Sequence, residues 1–163
     1  MENEFKMSRV LNAPRELVFE MWTNPQHLNN WWGPVGLKVR TEELDVKPGG
    51  TFLYSMEAPD GSMMYGKFIY KEIVRPEKLV FIDFFSDKAG GITRHPLAPT
   101  WPAEMLCTIL LNERNGKTIL ELSVVAVNAS DEEMKTFVEG FPSMNEGWGG
   151  TFGQLENLIN KIS

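Results

Sequence analysis

The sequence predicts an α+β fold, a curved antiparallel sheet of about seven strands wrapped around one long C-terminal helix. Three observations carry this. Residues 143–162 place Met144, Trp148, Thr151, Phe152, Leu155, Leu158, Ile159 and Ile162 on one side at helical spacing. Such a helix spans roughly 30 Å at about 1.5 Å per residue. Most of residues 37–128 instead alternate at period two between clusters of turn residues. Finally, an antiparallel sheet with one apolar face needs a cover, and only the terminal segment is long enough to be one. That segment carries Gly147, Gly149, Gly150 and Gly153, each costing about 0.5–1 kcal/mol against alanine. It needs a surface to lie on.

The elements follow in order. Residues 4–12 alternate Phe5, Met7, Arg9 and Leu11 against Glu4, Lys6, Ser8 and Val10, a half-buried strand. Pro14 suits the first turn of a helix with Leu17, Val18, Met21 and Trp22 on its apolar face. Asn24-Pro25 opens a second short helix carrying Leu28, Trp31 and Trp32, stopped by Gly33-Pro34. Strands are predicted at 37–46, 51–57, 64–74 and 79–86, the last mixed on its faces. They are separated by Lys47-Pro48-Gly49-Gly50, Pro59-Asp60-Gly61-Ser62 and Arg75-Pro76-Glu77-Lys78. Residues 87–103, with two glycines and three prolines, are too long for a hairpin. Residues 104–112 and 118–128 form a hairpin around Arg114-Asn115-Gly116-Lys117. Ser130 caps a helix over 131–139, and Gly140-Phe141-Pro142 breaks it. Ser143 then caps the final helix, with Glu146 completing a capping box. The whole, 1–163, reads as one domain.

Composition narrows the function. A net charge of −6 argues against nucleic acid or an anionic membrane as the main partner. No apolar run approaches the ~18 residues of a membrane span, and the N-terminus is not a signal peptide, so a cytoplasmic location is expected. The single cysteine, Cys107, excludes an internal disulfide and reads as an inert buried thiol. No catalytic residue is assigned. His27 lies on the polar side of a short helix, and His95, between Arg94 and Pro96, reads as a loop residue. Glu42, Glu43 and Asp45 read as a solvated face rather than an acid/base pair. No metal-ligand spacing and no Gly-rich cofactor loop occurs, so no metal or cofactor is expected.

The ordered set Trp31-Trp32-Gly33-Pro34, Asp45-Val46-Lys47-Pro48-Gly49-Gly50, Asp60-Gly61, Gly66, Pro76-Glu77-Lys78-Leu79-Val80 and Gly147-Trp148 resembles START-like (SRPBCC) proteins. It is most similar to the branch named after the activator of the heat-shock-protein-90 ATPase. The resemblance covers nearly the whole chain. It implies a helix-grip fold, often with a hydrophobic cavity, and no single activity: members of the superfamily bind lipids, sterols and polyketides, and a few catalyse cyclisation or hydrolysis. It also names a chaperone as a candidate partner in the stress response. The activator itself has a separate N-terminal domain that 163 residues do not include, so no stimulation of the ATPase by this chain alone is expected.

Tyr54, Tyr70, Trp101 and Trp148 combine apolar bodies with polar handles, as pockets for amphipathic ligands do. They can equally fill a core. The cavity residues expected are Trp32, Phe52, Tyr54, Met56, Phe68, Tyr70, Phe84, Trp101, Met105, Met144, Trp148 and Phe152, with Ile82, Ile109, Leu122 and Leu155 also inward. Three readings follow: a non-catalytic binder of a small hydrophobic or amphipathic molecule, a protein-interaction module, or an enzyme using the same cavity. The glycines of the last helix, Gly149, Gly150 and Gly153, point away from its apolar stripe. They are expected to form a contact surface for the 87–103 loop or for a second subunit in a homodimer.

Overall fold

The chain, described by a computed structural model over residues 3–93 and 98–162, runs β1 (Glu4–Leu11), α1 (Arg15–Thr23), α2 (Pro25–Trp31), β2 (Lys38–Leu44), β3 (Thr51–Glu57), β4 (Met63–Val74), β5 (Lys78–Ser86), β6 (Glu104–Arg114), β7 (Lys117–Val127), α3 (Asp131–Glu139) and α4 (Phe141–Ile162). His95 and its neighbours Arg94 and Pro96 lie outside the described residues. The seven strands form one antiparallel sheet in the order β1-β7-β6-β5-β4-β3-β2. Strands β2 to β7 are a meander, and β1 closes it by pairing with β7. The β6–β7 hairpin turns on Asn115 and Gly116, with φ of 55° and 76°, as a two-residue turn of matching twist requires.

Two register shifts bend the sheet, between Thr41 and Glu43 against β3 and between Tyr70 and Glu72 against β5. An extra residue on one strand sharpens local twist and curls the strand. The inner face collects Phe5 and Leu11 of β1, Phe52 of β3, Phe68 and Tyr70 of β4, Leu79 and Phe81 of β5, Ile109 and Leu111 of β6, and Leu120 and Leu122 of β7, all buried. Helix α4 packs Phe152, Leu155 and Ile159 into this core. The tryptophans of α1 and α2 join it, with Trp22 edge-on to Trp31 at 4.8 Å and to Phe152 at 6.2 Å.

Polar contacts fix how α4 lies. Arg9, on the inner face of β1, donates from Nη1 to the Gly149 carbonyl at 2.9 Å. Thr151 Oγ1 donates to the Gly33 carbonyl at 3.0 Å, and Gln154 Nε2 donates to the carbonyls of Trp31 and Gly33 at 3.0 and 2.9 Å. The helix therefore holds the segment just after α2.

Several expectations are corrected. Helix α4 begins at Phe141, before Pro142 rather than after it. In the first turn of a helix the N–H that proline lacks is not needed. Ser143 is thus inside the helix and not its cap. The capping box lies instead at Ser130 and Glu133 of α3. Ile162, placed on the apolar stripe, is 48% exposed where the helix ends. Ile82 and Phe84 do not face inward: the register aligns Phe81 and Asp83 of β5 with Cys107 and Met105 on the inner side, and puts Ile82 and Phe84 on the other. The run from Leu79 to Phe85 is apolar on both faces except at Asp83, so period-two alternation has no phase to read. On β3, Leu53 and Ser55 of the outer face are buried as well. Leu53, Lys67 and Phe84 pair in one row across β3, β4 and β5, and Lys67 Nζ donates to the Gly90 carbonyl at 3.2 Å. The lysine stem and the loop after β5 cover that row.

Among the described residues, the glycine face of α4 meets no second backbone. A Cβ added at Gly149 or Gly153 would find open space, and one at Gly150 would approach only the Val35 side chain, at 3.1 Å. The end of the 87–103 loop is occupied elsewhere. Trp101 packs on Phe137 of α3 with centroids 5.8 Å apart. It lies so close to the α3–α4 junction that a Cβ at Gly140 would come within 2.8 Å of its ring.

Candidate functional site

A cavity of about 420 Å³ lies between the inner face of the sheet and the first half of α4. That is within the ~300–1,000 Å³ of small-molecule sites. Strands β3 and β4 supply Tyr54, Met56, Met64 and Gly66, β5 supplies Asp83 and Phe85, and β6 and β7 supply Met105, Cys107 and Val124. Trp32, Gly33 and Pro34 wall it after α2, Trp101 comes from the loop before β6, and Met144, Gly147, Trp148 and Thr151 come from α4. Pro34 and Gly147 are exposed and stand where it opens to solvent.

Of the predicted cavity residues, Trp32, Tyr54, Met56, Trp101, Met105, Met144 and Trp148 come together at this wall. Phe84 borders it too, but alternates with Asp83 and Phe85 and shares the outer face with Lys67. Phe52, Phe68, Tyr70 and Phe152 do not line it; they are buried in the core beside it. Phe68, stacked on Phe81 at 3.9 Å and edge-on to Trp32 at 5.1 Å, joins the core to the cavity wall. Glu42, Glu43 and Asp45 are exposed and His27 is half-buried on α2; none of the four reaches the cavity. Among the described residues, no group of three or more His, Cys, Asp or Glu is placed to hold a metal ion.

The residue that sequence reasoning missed is Asp83. It is the one charged side chain at the wall among the described residues. Burial pushes its carboxyl up to about 7, and the nearby Phe84 backbone N–H and Tyr54 hydroxyl offset part of the effect. The side chain keeps some exposure, through the cavity, yet its surroundings are too apolar to solvate it as water would. Tyr54 is drawn to it by a gap in β4. Tyr54 pairs across with Gly66, and a Cβ there would sit 2.3 Å from the Tyr54 Cζ and hydroxyl. Only a glycine lets the ring cross β4 toward β5. Burial, then the nearby Asp83 carboxylate, raises the Tyr54 hydroxyl well above its usual range. Burial does the same to the Cys107 thiol on β6, again with Asp83 adding to it, so the thiol stays neutral. The Trp32 indole N–H approaches the Tyr54 hydroxyl but has no partner in hydrogen-bond geometry.

Residues 12–160 match the family model described as "Activator of Hsp90 ATPase homolog 1-like protein". The chain belongs to this family. Solved structures related to this Activator of Hsp90 ATPase homolog 1-like chain share its fold across nearly its whole length. A protein from Arthrobacter aurescens is 24% identical, with a TM-score of 0.82 over 99% of this chain and 88% of that one. A protein from Rhodobacter sphaeroides is 16% identical, with a TM-score of 0.79 over 100% and 95%. The AHSA1 protein from Silicibacter pomeroyi is 18% identical, with a TM-score of 0.72 over 98% and 99%. No curated protein matches the chain. Among the described residues, no helix is long and apolar enough to cross a membrane.

Proposed function

We propose that this chain is a non-catalytic binding protein that holds a small hydrophobic or amphipathic molecule between its sheet and α4. The observation that carries the reading is the wall itself: a cavity of about 420 Å³ faced by tryptophan, tyrosine, methionine and phenylalanine, with one carboxyl. Apolar walls with a few fixed polar groups are how proteins hold such ligands. The methionines adapt their shape to the occupant. Native mass spectrometry of the freshly purified protein tests it, together with titration by an environment-sensitive apolar dye. A retained adduct, or saturable dye binding that stabilises the fold, is the expected result. A protein that carries nothing and never takes up the dye overturns the reading.

The second reading rests on the family's name, which points to chaperone ATPase activation. A cavity is not needed for that role, and the expectation is that the purified chain alone leaves the chaperone's ATPase rate unchanged. A direct ATPase assay decides it; clear stimulation would make the outer surface, not the cavity, the functional site.

A further inference from the structure

We infer that the Tyr54–Asp83 corner of the cavity recognises a basic nitrogen carried on an apolar body, so that the ligand is an amphipathic amine rather than a fatty acid or a neutral lipid. The inference rests on the cavity reading above. It starts from what Asp83 lacks. The groups that favour its ionised form are a backbone N–H and a nearby phenol, both neutral, and among the described residues no cationic side chain lines the cavity. A carboxylate in such a site is short of positive charge, and a ligand ammonium supplies it through a charge-assisted hydrogen bond. The rest of the wall favours the same ligand. Trp32, Trp101 and Trp148 line the cavity, and indole rings attract cations. An anionic headgroup would instead meet Asp83 as a like charge in a poorly solvated space.

The corner is also built in advance. The missing side chain at Gly66 sets the Tyr54 ring across β4. Phe52, at 4.8 Å, and Trp32, at 5.9 Å, hold it there. Among the described residues, the groups that face Asp83 and titrate are Tyr54 from β3 and Cys107 from β6, both raised; β4 offers Gly66 and Phe68, and α4 offers Met144 and Trp148, none of which titrates. Between about pH 6 and pH 8 the change at this corner among the described residues is therefore the charge on Asp83, while an alkylamine stays protonated throughout.

The test is calorimetric titration with three chains of equal length: decylamine, decanol and decanoic acid, each below the concentration at which it aggregates. At about pH 8 the amine should bind at least about tenfold tighter than the alcohol, a difference of about 1.4 kcal/mol, and the acid weakest. The amine's advantage should shrink on going to about pH 6, as Asp83 takes up its proton. In Asp83→Asn, shown to be folded by circular dichroism, the ratio of amine to alcohol affinity should fall towards one. Equal binding of amine and alcohol by the wild type, an advantage that survives in the variant, or tighter binding of the acid overturns the amine assignment and leaves cavity binding standing. Failure of all three to bind overturns both.

Discussion

A single carboxyl in an otherwise apolar wall has a thermodynamic signature. The folded protein holds the Asp83 proton up to about 7, whereas an unfolded aspartate releases it near 4. Between those values the native state binds the extra proton, so stability falls as pH rises through the window and is flat on either side. The slope is at most about 1.4 kcal/mol per pH unit, and the total stays below about 4 kcal/mol because water reaches the carboxyl through the cavity mouth. Asp83→Asn removes the charge and with it this decline. The variant should match the wild type near pH 4 and melt higher near pH 8; parallel pH profiles of the two melting temperatures would mean that the carboxyl titrates as in water. A second residue-scale prediction concerns Gly66. An alanine there would meet the Tyr54 ring at 2.3 Å, and that ring is hemmed in by Phe52, Phe68 and Trp32. Gly66→Ala should cost roughly 1–3 kcal/mol in chemical denaturation. A neutral substitution would show that the tyrosine swings freely.

At the scale of elements, α4 combines an apolar stripe with a glycine-rich start, and the two have separate consequences. Gly153 has open space where a side chain would go, so Gly153→Ala should stabilise by about 0.5–1 kcal/mol through helix propensity. Thermal melts with size-exclusion chromatography check this. Destabilisation with a change in elution would mean that a second copy covers this face in solution. Most elements were legible in the sequence because each carried its own local signal: Asn115-Gly116 for the last hairpin, Ser130 for the α3 cap, and strict alternation for β1. The start of α4 was not, because proline stops one helix as readily as it begins another. Gly140 lets α3 pass directly into α4, with the Met144 N–H donating to its carbonyl at 2.9 Å. The facing of β5 was not legible either, since a strand buried on both sides has no polar face to mark.

At the scale of the whole molecule, stability and binding divide along α4. The aromatic pocket was half legible, for the residue types stood out but could not say which fill the core and which leave a space. Their partners across the sheet decide that. Asp83 did leave a mark, as the lone charge inside an apolar run, and reading it as a mixed strand passed over it. The division gives the last prediction. Phe152 is fully buried and meets Trp22 and Trp148 at 6.2 and 5.5 Å. Trp148 is one turn earlier, half-buried, with its ring against Trp32 at 5.5 Å and part of its surface on the cavity. Truncating a large aromatic in a packed core costs about 3–5 kcal/mol. Removing one that borders existing space costs less, because fewer contacts are lost and water or a ligand can enter the enlarged cavity. Phe152→Ala should therefore lower the denaturation midpoint by the full amount, and Trp148→Ala clearly less, although tryptophan is the larger side chain. The Trp148 variant should instead show the greater change in dye uptake, since it widens the cavity where α4 borders it. Guanidinium melts of the two proteins, followed by dye titration of the folded forms, measure both effects. If Trp148→Ala proved the more damaging to stability, the tryptophan would be the anchor of the helix, and the cavity would be closed in solution.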